Sequence, residues 1–199
     1  LIRIFPRVFT NMPSFRNEES DHRHLNEFWH VEIEQSDTNL EQILEVQEKM
    51  LCFFVHWMLA YCEMEIIDFA GKNRIQELQK IQRPFPRISY ADALIKLEKD
   101  LGVVVSLEGS LTDLGHFTSQ HEIMITNFYR GQPVFVTNYP TQEVAFYHKM
   151  DPDNTKFVLN ADLLAPGYGE IVGSGQRIDT AQELLEKIQR FEMKLEDYQ

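Results

Sequence analysis

Hydrophobic and polar residues alternate, at least in part, along six short stretches of the chain. These stretches lie at residues 8–18, 26–35, 133–138, 145–150, 157–164 and 170–178. Alternation with a period of two is typical of strands with one buried face, and turn residues separate the last four stretches. The pattern therefore predicts six strands. Because only the polar residues 19–25 separate the first two, we expect these two to form an antiparallel pair.

Between the second and third predicted strands, apolar residues recur at helical spacing. Thr38 followed by Glu41 is a capping-box pattern, and the apolar face continues to about Glu65. Further helices are predicted at residues 72–82, at 90–99 after a capping Ser89, from 117 onward, and after a cap formed by Thr180 and Glu183. Residues 102–115 are expected to be connecting structure. This order does not fit a regular βαβ alternation, so the sequence predicts an α+β domain built on a mostly antiparallel sheet.

The composition limits the partners that the chain can bind. Its 199 residues, 43% of them hydrophobic, suffice for one domain with a sizeable core. The 19 Lys and Arg residues against 31 Asp and Glu residues give a net charge of −12. That charge argues against nucleic-acid binding by broad neutralisation of phosphates, so any nucleic-acid contact must be local.

Membrane insertion and disulfide bonding are not expected. No apolar run approaches the roughly 18 to 20 residues of a membrane span, so no membrane partner is predicted. Cys52 and Cys62 fall in one helical stretch, about 15 Å apart along its axis, which is too far for a disulfide bond. These features favour a reducing intracellular setting, and we expect the cytoplasm.

The first candidate for chemistry lies around the predicted hairpin. Arg16 is on the first strand, Arg23 and His24 are in the loop, and Phe28 enters the return strand. Such a set could clamp a nucleotide, with a guanidinium group on phosphate and the aromatic ring on the base. The alternative is a solvated hairpin with ordinary surface charges.

A second candidate lies at Asp162 and Glu170, which are eight residues apart across the turn Ala-Pro-Gly-Tyr-Gly. If this turn joins neighbouring strands, the two carboxylates can converge on Mg²⁺, which prefers oxygen ligands and commonly bridges phosphates. Structural carboxylates are the alternative. Gly173 and Gly175 leave the second strand with little side-chain bulk, which suits close approach of a ligand, although an ordinary bulge gives the same pattern.

Together these residues carry a family resemblance that extends from about Ile4 to the chain end. Residues 15–34, FRNEESDHRHLNEFWHVEIE, closely resemble motif 2 of the class II aminoacyl-tRNA synthetases of the aspartyl, asparaginyl and lysyl subgroup. Residues 133–178, with PVFVTNYPTQEVAFYHKM and NADLLAPGYGEIVGSGQRI, resemble the asparaginyl members in particular. The resemblance implies a mostly antiparallel sheet flanked by helices. It also implies ATP-dependent activation of asparagine to asparaginyl-adenylate, followed by transfer to tRNA(Asn).

The resemblance assigns five residues to the ATP side of the site. Arg16 matches the motif 2 Arg that binds the α-phosphate of ATP and then of the adenylate. Phe28 matches the aromatic residue that stacks on adenine. Contacts with ATP, its phosphates or the tRNA acceptor end are implied for Glu18, Arg23 and His24.

Four further roles are implied for the amino acid and the metal ion. Glu32 matches the position read against the amino-acid side chain, and Arg177 matches the Arg that holds the polar end of that side chain. Asp162 and Glu170 match the acidic residues around the catalytic Mg²⁺. Because adenylyl transfer needs positioning and charge stabilisation more than an acid or base, Arg16 and Arg177 are the expected catalytic residues.

The sequence departs from the family pattern at several points. His148 stands where Met is usual, and Gly173-Ser174-Gly175 replaces the commoner Gly-Gly-Ser. His121 and Glu122 match a family segment, but a polar helix face explains them equally well. Motif 1, motif 3 and the anticodon-binding barrel are not seen. We therefore expect residues 1–199 to be a partial catalytic domain of a longer, homodimeric protein, or a degenerate paralogue.

Two other functions stay open at this point. A free-standing relative could activate aspartate for amidation without tRNA, and the missing anticodon module favours it, whereas Glu32 counts against it. A paralogue without catalysis could keep the fold as a binding or regulatory module. If the protein is an enzyme of this family, residues 8–35 and 133–178 are expected to form one antiparallel sheet that is the floor of a nucleotide cleft. The long helix is expected to pack behind this sheet.

Overall fold

The computed structural model describes residues 2–17, 25–101 and 117–198. The chain divides into two compact units, residues 1–39 and 40–199. The predicted connecting segment at 102–115 lies outside the described residues.

The first unit is a two-stranded antiparallel ribbon. β1 (Arg7–Phe15) pairs with β2 (Glu27–Gln35) in one continuous register, from Arg7 opposite Gln35 to Phe15 opposite Glu27. Residues directly opposite each other point to the same face, and successive residues alternate between faces. The predicted hairpin is therefore confirmed, although β1 ends at Phe15 rather than at residue 18.

Within the described residues, the second unit combines six α-helices with four strands. Its helices are α1 (Leu40–Tyr61), α2 (Glu63–Ala70), α3 (Asn73–Gln79), α4 (Tyr90–Leu101), α5 (Ser119–Asn127) and α6 (Ala181–Arg190), followed by a 3₁₀ turn at Leu195–Tyr198. Its strands are β3 (Arg87–Ser89), β4 (Val134–Thr137), β5 (Asn160–Ala165) and β6 (Gly169–Gly175). These elements confirm the α+β class.

The long predicted helix is two helices. α1 ends at Tyr61, and α2 begins at Glu63 after a break at Cys62, with a bend of 94°. In the described ranges no single helix is long and apolar enough to cross a membrane, and only this bent pair passes that test when its two members are combined. Both cysteine thiols are free, as predicted.

The strands of the second unit form one sheet in the order β3-β4-β5-β6. β3 runs parallel to β4, and the other neighbouring pairs are antiparallel. Within the described residues, β1 and β2 form a separate hydrogen-bonded sheet. The prediction of one sheet containing residues 8–35 and 133–178 is therefore wrong.

The stretch 145–150 is not a strand, contrary to the sequence prediction. His148 makes a single bridge with Arg177, and Met150 makes another with Val158. The backbone of Lys149 donates to Gln176 and accepts from Leu159. Since successive residues pair with different partners, no continuous ladder forms, and partial alternation in the sequence cannot reveal this.

Both faces of the four-stranded sheet are covered by helices. One face packs on α4 and α5 through Tyr90, Leu94, Leu97, Ile125, Val134, Val136 and Leu164. The other face contributes Phe135, Ala161 and Leu163 to a cluster with Leu40 and Leu44 of α1 and with Phe85. Because side chains alternate along β5, Asp162 lies on the same face as Leu164. The core thus fixes which face Asp162 occupies.

The start of α6 offers a direct test of the capping prediction. Thr180 has extended backbone geometry, and its Oγ1 accepts the N–H of Glu183 at 3.3 Å. We expect Thr180→Ala to lower the free energy of unfolding by about 1 kcal/mol, because an unsatisfied helix N–H remains. Thr180→Ser keeps the hydroxyl group and should stay close to the parent. Chemical denaturation of both variants checks this, and equal stability would show that the cap contributes nothing.

Candidate functional site

One face of the ribbon carries the described residues that the sequence assigned to ATP. The guanidinium Cζ of Arg16 lies 5.6 Å from the centroid of the Phe28 ring. Arg16 continues β1 by one hydrogen bond, because its N–H donates to the carbonyl of Asn26. The Phe28 ring thus lies within cation–π distance of a guanidinium group, and an aromatic face of this kind can also stack on a purine base. Glu18, Arg23 and His24 lie outside the described residues.

Glu32 lies on the same face of β2 as Phe28, four residues further along. The hydroxyl of Thr10, on the opposite strand, donates to Glu32 Oε2 at 3.2 Å. Nδ1 of His30 lies 3.8 Å from Glu32 Oε1 and 3.5 Å from the hydroxyl of Ser14. The Glu32 side chain is 55% exposed. It is therefore oriented by its neighbours while it stays open to a ligand.

In the second unit, Asp162 and Glu170 converge on the bare backbone of Gly173. Asp162 is directly opposite Gly173 in the β5–β6 register. A Cβ atom on Gly173 would lie 2.9 Å from Glu170 Oε1 and 3.5 Å from Asp162 Oδ1. Glu170 and Gly173 are exposed. The missing side chain therefore leaves a gap at the surface into which both carboxylates point.

The environment of Asp162 disfavours its charge. Burial and the negative charge of Glu170 raise the pKa of Asp162 to about 7, although the hydroxyl of Tyr139 donates to its carboxylate. Burial and the negative charge of Asp162 raise the pKa of Tyr139 as well. A cation at Asp162 and Glu170 would relieve this repulsion, so the electrostatics favour a positively charged ligand.

Glu122 of α5 belongs to this group of carboxylates. Its Oε2 accepts the backbone N–H of Glu170 at 3.1 Å, and its charge contributes to the raised pKa of Asp162. The sequence allowed two interpretations of Glu122, as a site residue or as part of a polar helix face. Its 48-residue separation from Glu170 hides the contact, and so nothing in the local pattern could have found it.

These donors fit Mg²⁺ as a phosphate-bridging ion but not as an ion held by protein alone. Within the described ranges, no group of three or more His, Cys, Asp or Glu side chains is arranged to hold a metal ion. Mg²⁺ typically takes one or two carboxylates and completes its octahedron with water and phosphate oxygens. Asp162 and Glu170 match that type of site.

Arg177 lies beyond the end of β6 and stacks on Tyr147. Its Cζ is 3.8 Å from the centroid of the Tyr147 ring. The neighbouring backbone is paired with the same segment, since Ile178 donates to Tyr147 and Lys149 donates to Gln176. The guanidinium group therefore lies over an aromatic ring on an exposed residue, and its planar fork of N–H donors suits a planar polar partner.

Comparison with known proteins identifies the family of this chain. The sequence matches the family described as tRNA synthetases class II (D, K and N) over residues 1–199.

The chain belongs to the class II tRNA synthetases.

Solved structures of this family have the same fold. The chain is 37% identical, with a TM-score of 0.86, to asparaginyl-tRNA synthetase from Pyrococcus horikoshii complexed with asparaginyl-adenylate, covering 99% of this chain and 44% of that one. The asparaginyl-tRNA synthetase from Entamoeba histolytica, also in complex with asparaginyl-adenylate, is 28% identical with a TM-score of 0.84, covering 100% and 44%. The aspartyl-tRNA synthetase from the same organism is 25% identical with a TM-score of 0.74, covering 99% and 40%.

The family and its fold are thereby established, and they agree with the resemblance in the sequence. Class II synthetases are ligases that use ATP and Mg²⁺ in protein biosynthesis. The chain spans less than half the length of the solved synthetases that it matches. What the whole protein activates and binds is therefore inferred below.

Proposed function

We propose that the protein activates asparagine with ATP, forms asparaginyl-adenylate and transfers the amino acid to tRNA(Asn). One observation carries this proposal. The chain is 37% identical, with a TM-score of 0.86, to an asparaginyl-tRNA synthetase solved with asparaginyl-adenylate. It has two converging carboxylates and an arginine whose Cζ lies over the Tyr147 ring. In this proposal, residues 1–199 are part of the catalytic domain of a homodimeric cytoplasmic enzyme.

The roles on the ATP side follow from the chemistry of the side chains. Arg16 would bind the α-phosphate through its guanidinium fork, and the ring of Phe28 would stack on adenine. Glu18, Arg23 and His24 are assigned to ATP and the acceptor end by resemblance. When bound, Mg²⁺ would neutralise phosphate charge.

Asp162 and Glu170 are the residues that would hold the Mg²⁺ ion, each through a carboxylate oxygen. Their convergence on Gly173 keeps both oxygens at one gap in the surface, and Glu122 holds the backbone N–H of Glu170 in place. The proposed contribution of these residues is binding and orientation of the phosphates rather than proton transfer.

The proposed selectivity for asparagine rests on Arg177 and Glu32. Asparagine presents a carbonyl acceptor, which suits a donating guanidinium group, and an amide donor, which suits a carboxylate. Aspartate would bring a second negatively charged oxygen instead of the amide. Like-charge repulsion with Glu32 would then disfavour aspartate. Because Glu32 is half-exposed, solvent screening limits this effect to about tenfold or somewhat more.

Amino-acid-dependent pyrophosphate exchange in the full-length protein tests the proposal. We expect exchange with asparagine to exceed exchange with aspartate, and Glu32→Gln to lower this ratio about tenfold by removing the repulsion. Glu45→Gln is the matched control, since Glu45 lies on α1 in a surface ion pair with Lys49 at 2.6 Å. An unchanged ratio in Glu32→Gln would show that Glu32 is not the discriminator.

Aspartate activation is the second candidate, favoured by the similarity to the aspartyl-tRNA synthetase of Entamoeba histolytica. A parent protein that exchanges faster with aspartate than with asparagine would establish it. A parent that binds ATP but exchanges with neither amino acid would identify a paralogue without catalysis.

A further inference from the structure

His148 lies directly against Gly175. A Cβ atom on Gly175 would fall well inside 3.0 Å of Nδ1 and Cε1 of the His148 ring, a separation that real Cβ atoms essentially never show. It would also lie 3.1 Å from Cβ of Asn160. The imidazole ring therefore occupies the space that any side chain at position 175 would need.

The backbone of His148 is hydrogen-bonded to a side chain of α6. The buried Nζ of Lys187 donates to the carbonyl oxygen of His148 at 2.5 Å. Two residues further on, the N–H of Met150 donates to Glu183 Oε1 at 3.0 Å. The segment cannot move away from Gly175 without breaking these bonds, so α6 fixes the backbone that carries the His148 ring.

The same segment contacts Arg177. His148 and Arg177 form an antiparallel bridge, which places their side chains on one face. The centroids of the Tyr147 and His148 rings are 5.0 Å apart, and the Arg177 guanidinium stacks on Tyr147. A displacement of the His148 ring would therefore be transmitted to the ring that supports Arg177.

The His148 ring is neutral in this environment. Burial and the positive charges of Arg177 and Lys187 lower the pKa of His148 to about 4. Its Nδ1 is buried and makes no hydrogen bond within the described part of the chain. Because a proton buried there would find no acceptor, the unprotonated form is favoured at this atom. The ring therefore acts by its shape next to Arg177 and adds no second positive charge.

We propose that His148 is a positioning residue. Its ring fits beside Gly175 because glycine has no side chain, and the ring holds Arg177 in the orientation that binds the amino-acid substrate. This inference rests on the proposed function, in which Arg177 binds the substrate side chain. With the His148 ring in this position, a side chain at position 175 would overlap it.

A double-mutant cycle in the full-length protein tests the inference. We expect Gly175→Ala to raise the KM for the amino acid at least about tenfold, because the methyl group displaces the ring and misplaces Arg177. His148→Ala should raise this KM as well. In the double variant, Gly175→Ala should cause no further rise, since the ring that it displaces is gone. The KM for ATP should stay within about twofold throughout.

The KM readout separates positioning from a merely structural role. Partial unfolding lowers the active fraction and hence the apparent kcat, but it leaves the KM for the amino acid unchanged. His56→Ala is the matched control, because His56 is an exposed histidine of α1. If Gly175→Ala does not fold, a double variant that folds supports the steric coupling, and His148→Ala then tests the positioning.

The contradicting outcomes are distinct from those of the proposed function. Provided that the parent protein is active, two results would overturn the inference. One is an unchanged KM for the amino acid in His148→Ala, and the other is a rise in the KM for ATP as large as the rise in the KM for the amino acid. The assay uses whichever of aspartate, lysine and asparagine the parent activates, so a wrong choice of asparagine leaves the test intact. A parent that activates none of the three would overturn both.

Discussion

Replacing Glu170 with Gln is expected to lower amino-acid-dependent pyrophosphate exchange at least about 100-fold, a typical loss when one charge-stabilising group is removed. Glu170 Oε1 lies 2.9 Å from the empty Cβ position of Gly173, with Asp162 Oδ1 across the same gap. A neutral amide can still accept hydrogen bonds, but it no longer compensates the charge of a cation that bridges phosphates. The loss should therefore appear as a weaker dependence on Mg²⁺ and a higher KM for ATP.

One control and one further variant accompany this prediction. Glu186→Gln removes an exposed carboxylate on α6 that accepts a hydrogen bond from Gln182 at 2.7 Å, and it should leave exchange unchanged. Gly173→Ala keeps every charge but places a methyl group between the two carboxylates, and we expect it to impair the same Mg²⁺ dependence. Exchange in Glu170→Gln at the parent level would mean that Glu170 is structural.

The fold near the carboxylates could be predicted well because its determinants are local. Alternating residues mark β5 and β6, and the turn between them brings Asp162 and Glu170 to neighbouring strands. The strand at Arg87–Ser89 was missed, since three residues after a proline-rich stretch give too short a pattern for alternation to be read. Its pairing with β4 is decided by tertiary contacts.

The single predicted sheet was wrong for a related reason. Alternation identifies strands, but it carries no information on which strands pair, and two separate sheets have the same local pattern as one. The contacts of Glu122 with Glu170 and of His148 with Gly175 were likewise invisible, because they join residues 48 and 27 positions apart. The sequence marked His148 as a departure from the family pattern and Gly175 as a position of little side-chain bulk, and the structure shows that the His148 ring lies against Gly175.

The second prediction concerns Arg177, which we expect to be required for activation of asparagine and of aspartate alike. Removing a charged donor to a buried polar group costs about 1.5–3 kcal/mol, with a further loss when the substrate group is left unpaired. Arg177→Ala should therefore lower kcat/KM for the amino acid about 100-fold, while the KM for ATP stays near the parent value. Pyrophosphate exchange at varied amino-acid and ATP concentrations measures both quantities.

Arg177→Lys separates charge from geometry. Lysine keeps the positive charge but lacks the planar fork that lies 3.8 Å from the Tyr147 ring centroid, so we expect it to recover only part of the loss. Tyr147→Phe keeps the ring and should stay near the parent. Arg74→Lys is the matched control, since Arg74 pairs with Glu77 at the surface at 2.5 Å. Full activity in Arg177→Lys would show that charge alone suffices, and full activity in Arg177→Ala would remove Arg177 from the amino-acid site.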